Sequence, residues 1–478
     1  MNMKNKLIVV FLMMLLIFSV GIRFYKIPYG LFFGPEQGRD LLVVSNMLNH
    51  GKLTLIGPKT DIPGVFHGPI YYYILTLPFF LFQGNPVGII FSLIIIQSLS
   101  LLLFFQVGKK LSSVYLGISA SMLYAISPRS IDYARWLSNA SLVPFFSLLT
   151  LFFLLKVIEK KNHYFYALAL SAAILVHLEL LNLVFLIFII PLLIIHTKIK
   201  LSIKHALFSS ILFVMCLSTF VVFDIRHQFI MSKNIFASVQ SGGFKTSLSD
   251  SMRETTERFT EEVTKYVVPN VPMLASYIFL TGVFLIVARG EKKKVLFSPL
   301  FFWVGVPFFL LAFSRHSVLN HFFLFSSPAI FLIAALAIIQ QKKYFTLLPI
   351  IIFCVVLLNN YFTVRSLKPW GITIGQEKSV IDFIYNTSKR QNFRYEAYTI
   401  PYFWNDAWQY MFQWYGKKTY AIEPTETDVK YVYFIWEREP TIYQKDWLDR
   451  QVEQYEKTDA SAIFGEVHVE RRESKKSH

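Results

Sequence analysis

The chain has 478 residues, of which 54% are hydrophobic, 17% aromatic and only 16% charged. Soluble proteins carry about 25% charged residues, so the polar surface here is too small to coat a water-exposed fold. A disordered chain, a typical cytosolic enzyme and a disulfide-stapled secreted module are excluded, the last because the only two cysteines, Cys216 and Cys354, both lie inside apolar runs. The composition predicts a polytopic membrane protein.

Apolar runs of membrane-spanning character occur at 7–22, 87–107, 112–127, 140–157, 164–180, 183–197, 206–223, 273–288, 297–313, 323–340 and 344–360. That predicts a mainly α fold with about eleven transmembrane helices. The first run follows Lys4 and Lys6, lacks a small-residue cleavage site and is followed by Arg23 and Lys26, so it reads as a retained helix and not a signal peptide. Residues 23–86 form a long loop. Within it, Pro35 suits a first helical turn, Leu41, Val44 and Leu48 recur at helical spacing, and Gly51 stops the helix. The segment GPIYYYILTLPFFLFQ at 68–83 is short and broken by Pro78, and is expected to lie at the interface. Shorter loops follow at 128–139 and 224–272. The latter contains SMRETTERFTEEVTKYV, a third interfacial helix with Ser251 and Glu254 in a capping-box pattern and Met252, Phe259 and Val263 as its apolar stripe. The chain divides into a transmembrane part, 1–360, and a small C-terminal α/β domain, 361–478. In the latter, strands are expected at 396–400, 430–436 and 461–470, helices at 376–387 and 446–457, and a disordered tail RRESKKSH.

The net charge of +17 could suggest nucleic acid, but its distribution excludes that partner. Six linkers (1–6, 108–111, 156–163, 196–205, 289–294 and 341–343) carry 16 Lys and Arg against the two acids Glu159 and Glu291, whereas 361–478 balances at 17 of each sign. These basic linkers alternate along the chain, which places the N-terminus in the cytoplasm and the three loops and the C-terminal domain outside. The partners are then the lipid bilayer and whatever the outer loops hold.

Those loops carry the polar chemistry. Glu36 and Asp40 are four residues apart on one helix face, with Arg39 beside them; a plain helix-start charge is the competing explanation of Glu36. LIGPKTDIPGVFHGPIYYYI brings His67 and Tyr71 in a Gly/Pro-punctuated loop. The second loop supplies Asp132, Arg135 and Asn139, the turn VHLELLN supplies His177 and Glu179, and SRHSVLNHFF supplies Arg315, His316 and His321. Helix centres are almost free of charge. A transporter or flippase of lipid-linked glycans would place ionisable groups at midplane and show an internal repeat, so chemistry at one interface is favoured. A non-catalytic membrane binding protein is the remaining alternative.

In order, a charged N-terminus, one helix, an acid followed by Gly38-Arg39-Asp40, and then Gly57-Pro58 and His67-Gly68-Pro69-Ile70-Tyr71-Tyr72-Tyr73 resemble the GT-C membrane glycosyltransferases. The branch is that of the protein O-mannosyltransferases and the lipid A aminoarabinose transferase. The resemblance covers roughly 1–340 and implies an inverting transfer of a sugar from a polyprenyl-phosphate donor to a glycan, lipid or protein acceptor on the non-cytoplasmic face. It implies a carboxylate base, Glu36 or Asp40, and substrate-binding roles for Arg39, His67, Tyr71, Arg135 and Asn139, with His177, Arg315 and His321 toward the lipid phosphate. No nucleotide-phosphate loop is present, an acceptor hydroxyl needs a base within reach, and a departing phosphate needs cationic or hydrogen-bonding stabilisation. The sequence departs from the family pattern at three places: Glu36 replaces the first Asp, Gln37 the second acid, and Asn139 the acid four residues after Arg135. No cofactor is certain and no metal ligands are assigned; a divalent cation is the one the family's acids would recruit, and losing two acids weakens that case. A polymerase joining lipid-linked glycans is a close enzymatic neighbour.

Overall fold

The computed structural model describes the chain except residues 1–2, 199–201, 241–246, 290, 315–316, 341–346, 390, 400–403, 428, 438–441, 456–457 and 474–478. It is mainly helical, with one small sheet near the C-terminus. The first helix, Met3–Phe24, leaves Leu7, Val10, Met14 and Ile17 exposed, an apolar surface that belongs in lipid. Its 22 residues span about 33 Å, the thickness of a bilayer's hydrocarbon core. The protein is an integral, multi-pass membrane protein.

Each predicted apolar run contains a helix, but many are shorter than the runs suggest. Among the described residues, three helical stretches are long and apolar enough to cross a membrane, Met3–Gly30, Pro86–Leu111 and Asn139–Ile158, or up to five if each of two bent pairs is one span. The run 206–223 is one such pair, Ile203–Cys216 and Ser218–Arg226, bent by 44°. The run 323–340 opens as the 3-10 turn Asn320–Phe325 before the helix Ser327–Gln340. The three helices expected at the interface form at Pro35–His50, Ile70–Leu81 and Leu248–Val267. In the last, the cap differs from the expectation. Ser247, not Ser251, accepts from the Asp250 N–H at 3.1 Å, and Ser251 faces inward with Thr255, Glu262, Val263 and Tyr266 while Met252 is exposed.

The sheet joins β1 (Phe393–Tyr398), β2 (Tyr431–Glu437), β3 (Ala460–Phe464) and β4 (Val467–Glu473) in the order β1-β2-β4-β3, with β1 parallel to β2 and the other pairs antiparallel. The expected third strand is therefore a hairpin, turned at Gly465 with φ 65°. The expected disordered tail is also corrected in part: Arg471 and Arg472 lie in β4, and Arg471 Nε donates to Asp459 at 2.9 Å. The crossover from β1 to β2 is helical through Asp406–Met411, Phe412–Gly416 and Lys417–Tyr420, an aromatic stretch whose pattern gave no helix in the sequence.

This region is fastened to the first loop. Phe33 N–H donates to Ile372 O at 3.1 Å and Ile374 N–H to Leu31 O at 2.8 Å. The helix Ile374–Thr387 starts there with a capping box between Thr373 and Gln376. Its Glu377 is fully buried, and Oε2 finds no hydrogen-bond partner among the described residues. Burial, with the charge of Glu437 added, raises its carboxyl well above the usual range. A raised pKa gives stability that is complete below the unfolded value and is lost as pH climbs toward the folded one. Glu377→Gln is accordingly expected to raise the apparent melting temperature at pH 8 and to change it little at pH 4.5; equal shifts at both pH values would refute the assignment.

Candidate active site

The helix Pro35–His50 begins with Pro35 in its first turn after Gly34. Gln37 fixes that start twice over. Its Oε1 accepts from Gly34 N–H at 3.0 Å, and its Nε2 donates to Leu137 O at 3.1 Å, across to the second loop. Asn139 does the same one loop further on, donating from Nδ2 to Leu178 O at 2.6 Å. Both positions where the resembled motif has acids thus hold amides that donate to backbone carbonyls, which a carboxylate cannot do.

Glu36 lies exposed in the first turn of this helix. Asp40, one turn on, is buried and receives three hydrogen bonds on Oδ1: from Arg39 Nε at 2.9 Å, Arg39 Nη2 at 2.8 Å and Tyr72 Oη at 3.1 Å. Burial raises the Asp40 carboxyl to about 6, against the opposing pull of Arg39 and Tyr72. Tyr71 is fully buried, close enough to Asp40, Arg39 and Glu36 to feel their charges, and its hydroxyl has no partner among the described residues. Between Glu36 and Asp40, Gly38 packs against the Asp406–Ala407 backbone, so that any side chain would collide with the helix Asp406–Met411. The glycine of the motif is where the C-terminal region sits down on the motif helix.

A second cluster joins three loops. His67 Nδ1 accepts from Leu180 N–H at 3.3 Å and stands 3.8 Å from Glu179 Oε1, while His321 Nε2 stands 3.9 Å from Glu179 Oε2. Burial, with His321 and Arg39 nearby, pushes His67 down to about 3, and burial lowers His321 as well. Burial and the charge of Asp61 push Glu179 up to about 8. The two imidazoles are therefore neutral at pH 7, and these are contacts between neutral groups, not ion pairs. Because Leu180 N–H occupies Nδ1, the ring proton of neutral His67 belongs on Nε2. The charge of Arg39 is felt at both Asp40 and His67.

Other expected site residues serve the scaffold. Arg135 donates from Nε to Arg23 O at 3.0 Å and from Nη2 to Ile22 O at 2.9 Å, closing the end of the first helix. His177 stacks on Phe220 at 5.0 Å, is 3.0 Å from Cys216 O through Nε2, and lies so close to Gly68 that a side chain there would overlap its ring. Arg315 lies outside the described residues. Sequence reasoning left Tyr72 and Glu179 out of its site set. The tyrosine run was visible, but only the fold shows that its second member reaches Asp40. Among the described residues, no group of three or more His, Cys, Asp or Glu could hold a metal ion. Asp40 Oδ1 is already taken by Arg39 and Tyr72, and the neighbouring acids are replaced by amides, so this donor set does not suit a divalent cation.

Residues 66–223 match the family model described as dolichyl-phosphate-mannose-protein mannosyltransferase. No curated protein matches the chain in sequence. In fold, the chain is similar to ArnT from Cupriavidus metallidurans in the apo state, with a TM-score of 0.63 at 10% identity over 98% of each chain. The same protein bound to undecaprenyl phosphate gives 0.61 at 10% identity over 98% of this chain and 97% of that one. The archaeal oligosaccharyltransferase AglB from Archaeoglobus fulgidus, in complex with an inhibitory peptide and a dolichol-phosphate, gives 0.51 at 12% identity over 91% of this chain and 70% of that one. At these identities the likeness is one of fold. The chain thus resembles the GT-C membrane glycosyltransferases in fold throughout and in sequence over residues 66–223.

Proposed function

We propose that the protein transfers a sugar from a polyprenyl-phosphate donor to a glycan, lipid or protein acceptor on the non-cytoplasmic face, with inversion and with Glu36 as general base. The observation that carries this reading is an exposed carboxylate, Glu36, in the same helical turn as the half-buried Arg39, which Asp40 holds. Glu36 can be reached by an acceptor hydroxyl; Asp40, which is buried, cannot. The acceptor oxygen gives its proton to Glu36 and bonds to the anomeric carbon, and the carbon–oxygen bond to the lipid phosphate breaks with its electron pair leaving on phosphate. Arg39 meets the developing charge, and His67 offers Nε2–H to the same phosphate. Tyr71 lies fully buried beside this group, close enough to Asp40, Arg39 and Glu36 to feel their charges. No step is routed through a metal ion. The lipid phosphates bound in the ArnT and AglB structures support a polyprenyl-phosphate donor. The reading includes a cytoplasmic N-terminus and an extracytoplasmic domain at 361–478 resting on the motif helix.

The test is transfer by protein reconstituted in vesicles and offered a panel of radiolabelled polyprenyl-phosphate sugars, with Glu36→Gln alongside. Turnover of at least one donor is expected, and its collapse in Glu36→Gln, which removes the proposed base. Retained binding of the lipid phosphate with no turnover of any donor–acceptor pair would move the protein to binding or transport.

A further inference from the structure

A cleft of about 100 Å³ opens where the end of the first helix, the end of the helix Pro128–Ala134 and the linker 367–370 meet. It is lined by Lys26, Arg135 and Lys368 on one hand and by Trp136 and Trp370 on the other, with Asp132 as its single acid. Asp132 is already engaged, accepting from Trp370 Nε1 at 2.8 Å and lying 3.7 Å from Arg129 Nη1. None of the three cations forms an ion pair with a described carboxylate. The cleft is thus a basic recess with an indole wall, since the Trp136 and Trp370 rings meet at 5.3 Å, tilted by 51°.

Its depth follows from helix lengths. Met3–Phe24 crosses the hydrocarbon in 22 residues and places Lys26 just beyond it. The last apolar helix, Leu348–Arg365, is 18 residues long and places Lys368 just beyond its own end in the same cleft. Lys26, which follows a membrane helix, and Lys368, which follows an apolar helix and meets it in the same cleft, therefore sit with two tryptophans at headgroup level. The abundant anion at that depth is lipid phosphate. The exposed apolar side chains of the first helix, among them Met14, Ile17 and Phe18, run from the cleft into the bilayer as a track for acyl chains.

We propose that this cleft binds the headgroup phosphate of an anionic phospholipid from the leaflet at this face. Lys26 and Lys368 meet the phosphate while Trp136 and Trp370 cover the glycerol. The bound lipid joins the first helix to the linker that leads into the C-terminal region.

Thermal unfolding of the purified protein in a non-ionic detergent tests this, with phosphatidylglycerol, phosphatidylcholine or undecaprenyl phosphate added. Phosphatidylglycerol is expected to raise the midpoint by several degrees and phosphatidylcholine to leave it unchanged. Lys26→Gln/Lys368→Gln, which alters two exposed side chains, should keep the lipid-free midpoint and lose the phosphatidylglycerol shift. Trp370→Phe, which retains both lysines, should keep the greater part of it and guards against a general loss of fold. An equal shift in the double variant would overturn the proposal. So would a variant-sensitive shift given by undecaprenyl phosphate alone, which would assign the cleft to substrate. None of these readouts depends on transfer activity.

Discussion

Glu36→Gln is expected to lower kcat for sugar transfer by about 10²–10⁴-fold, the usual worth of a positioned general base, with donor affinity little changed. Asp40→Asn should act differently, because Asp40 is buried and spends its Oδ1 on Arg39 and Tyr72. Its loss frees Arg39 to move, so transfer falls by about tenfold, and the fall should appear with every acceptor because it affects the donor end. The pH dependence separates the two residues further. With its carboxyl raised to about 6, Asp40 loses its charge as pH falls through 6 and then holds Arg39 less firmly. Activity should therefore decline on the acid side of pH 6 in the parent protein, and that limb should disappear in Asp40→Asn. The stability effect has the opposite sign. A group whose pKa is raised on folding contributes fully below its unfolded value and loses that contribution as pH rises through the folded value. Asp40→Asn is thus expected to be more stable than the parent at pH 8 relative to pH 5, while its deficit in activity is full at pH 8 and narrows at pH 5. A limb near 6 that persists in Asp40→Asn would belong to another group. A Glu36→Gln protein with parental kcat would remove Glu36 as the base and leave Asp40 to be reached by a movement of the helix.

The interfacial helices were legible because each has local punctuation. Pro35 and Gly51 bracket one, and Pro69 and Pro78 mark another, so composition and turn chemistry sufficed. The gathering of polar residues at helix ends was legible too, since the helix centres are almost free of charge. What each residue does there was not legible. Arg135 and His177 look like phosphate ligands in the sequence, yet one closes a helix end and the other packs beneath Gly68. Gln37 and Asn139 look like lost acids, yet both are used as donors that tie loop to loop. Such roles depend on contacts between residues about 40 to 110 positions apart, which no local pattern encodes. The C-terminal sheet shows the same limit: its strands were visible by alternation, but the aromatic crossover at 406–420 takes its helical form from packing on the motif helix and under β1.

Arg129→Met is expected to destabilise the protein by about 3–5 kcal/mol, the cost of leaving a buried charge without its partner. Arg129 reaches from the helix Pro128–Ala134 to Glu262 on Leu248–Val267, with Nε 3.0 Å from Oε2 and Nη2 on the other carboxylate oxygen, and it also donates to Tyr133 Oη at 3.0 Å. Glu262 is fully buried and Arg129 nearly so. Arg129→Met/Glu262→Met, which removes both charges and keeps the volume, should recover most of the loss, because a buried pair is worth little against well-packed apolar side chains. A double-mutant cycle on the apparent unfolding midpoint checks this; a double variant as unstable as Arg129→Met would show that the arginine acts through packing alone. The consequence for transfer follows from where the pair sits. The helix it anchors leads into residues 135–139, which give Leu137 O to Gln37 and position Asn139 against Leu178. Loosening that helix releases the start of the motif helix, so the single variant should lose transfer even at temperatures where it remains folded. The double variant should keep it. Activity and stability are expected to recover together, because the pair touches no substrate and acts only by holding the second loop against the first.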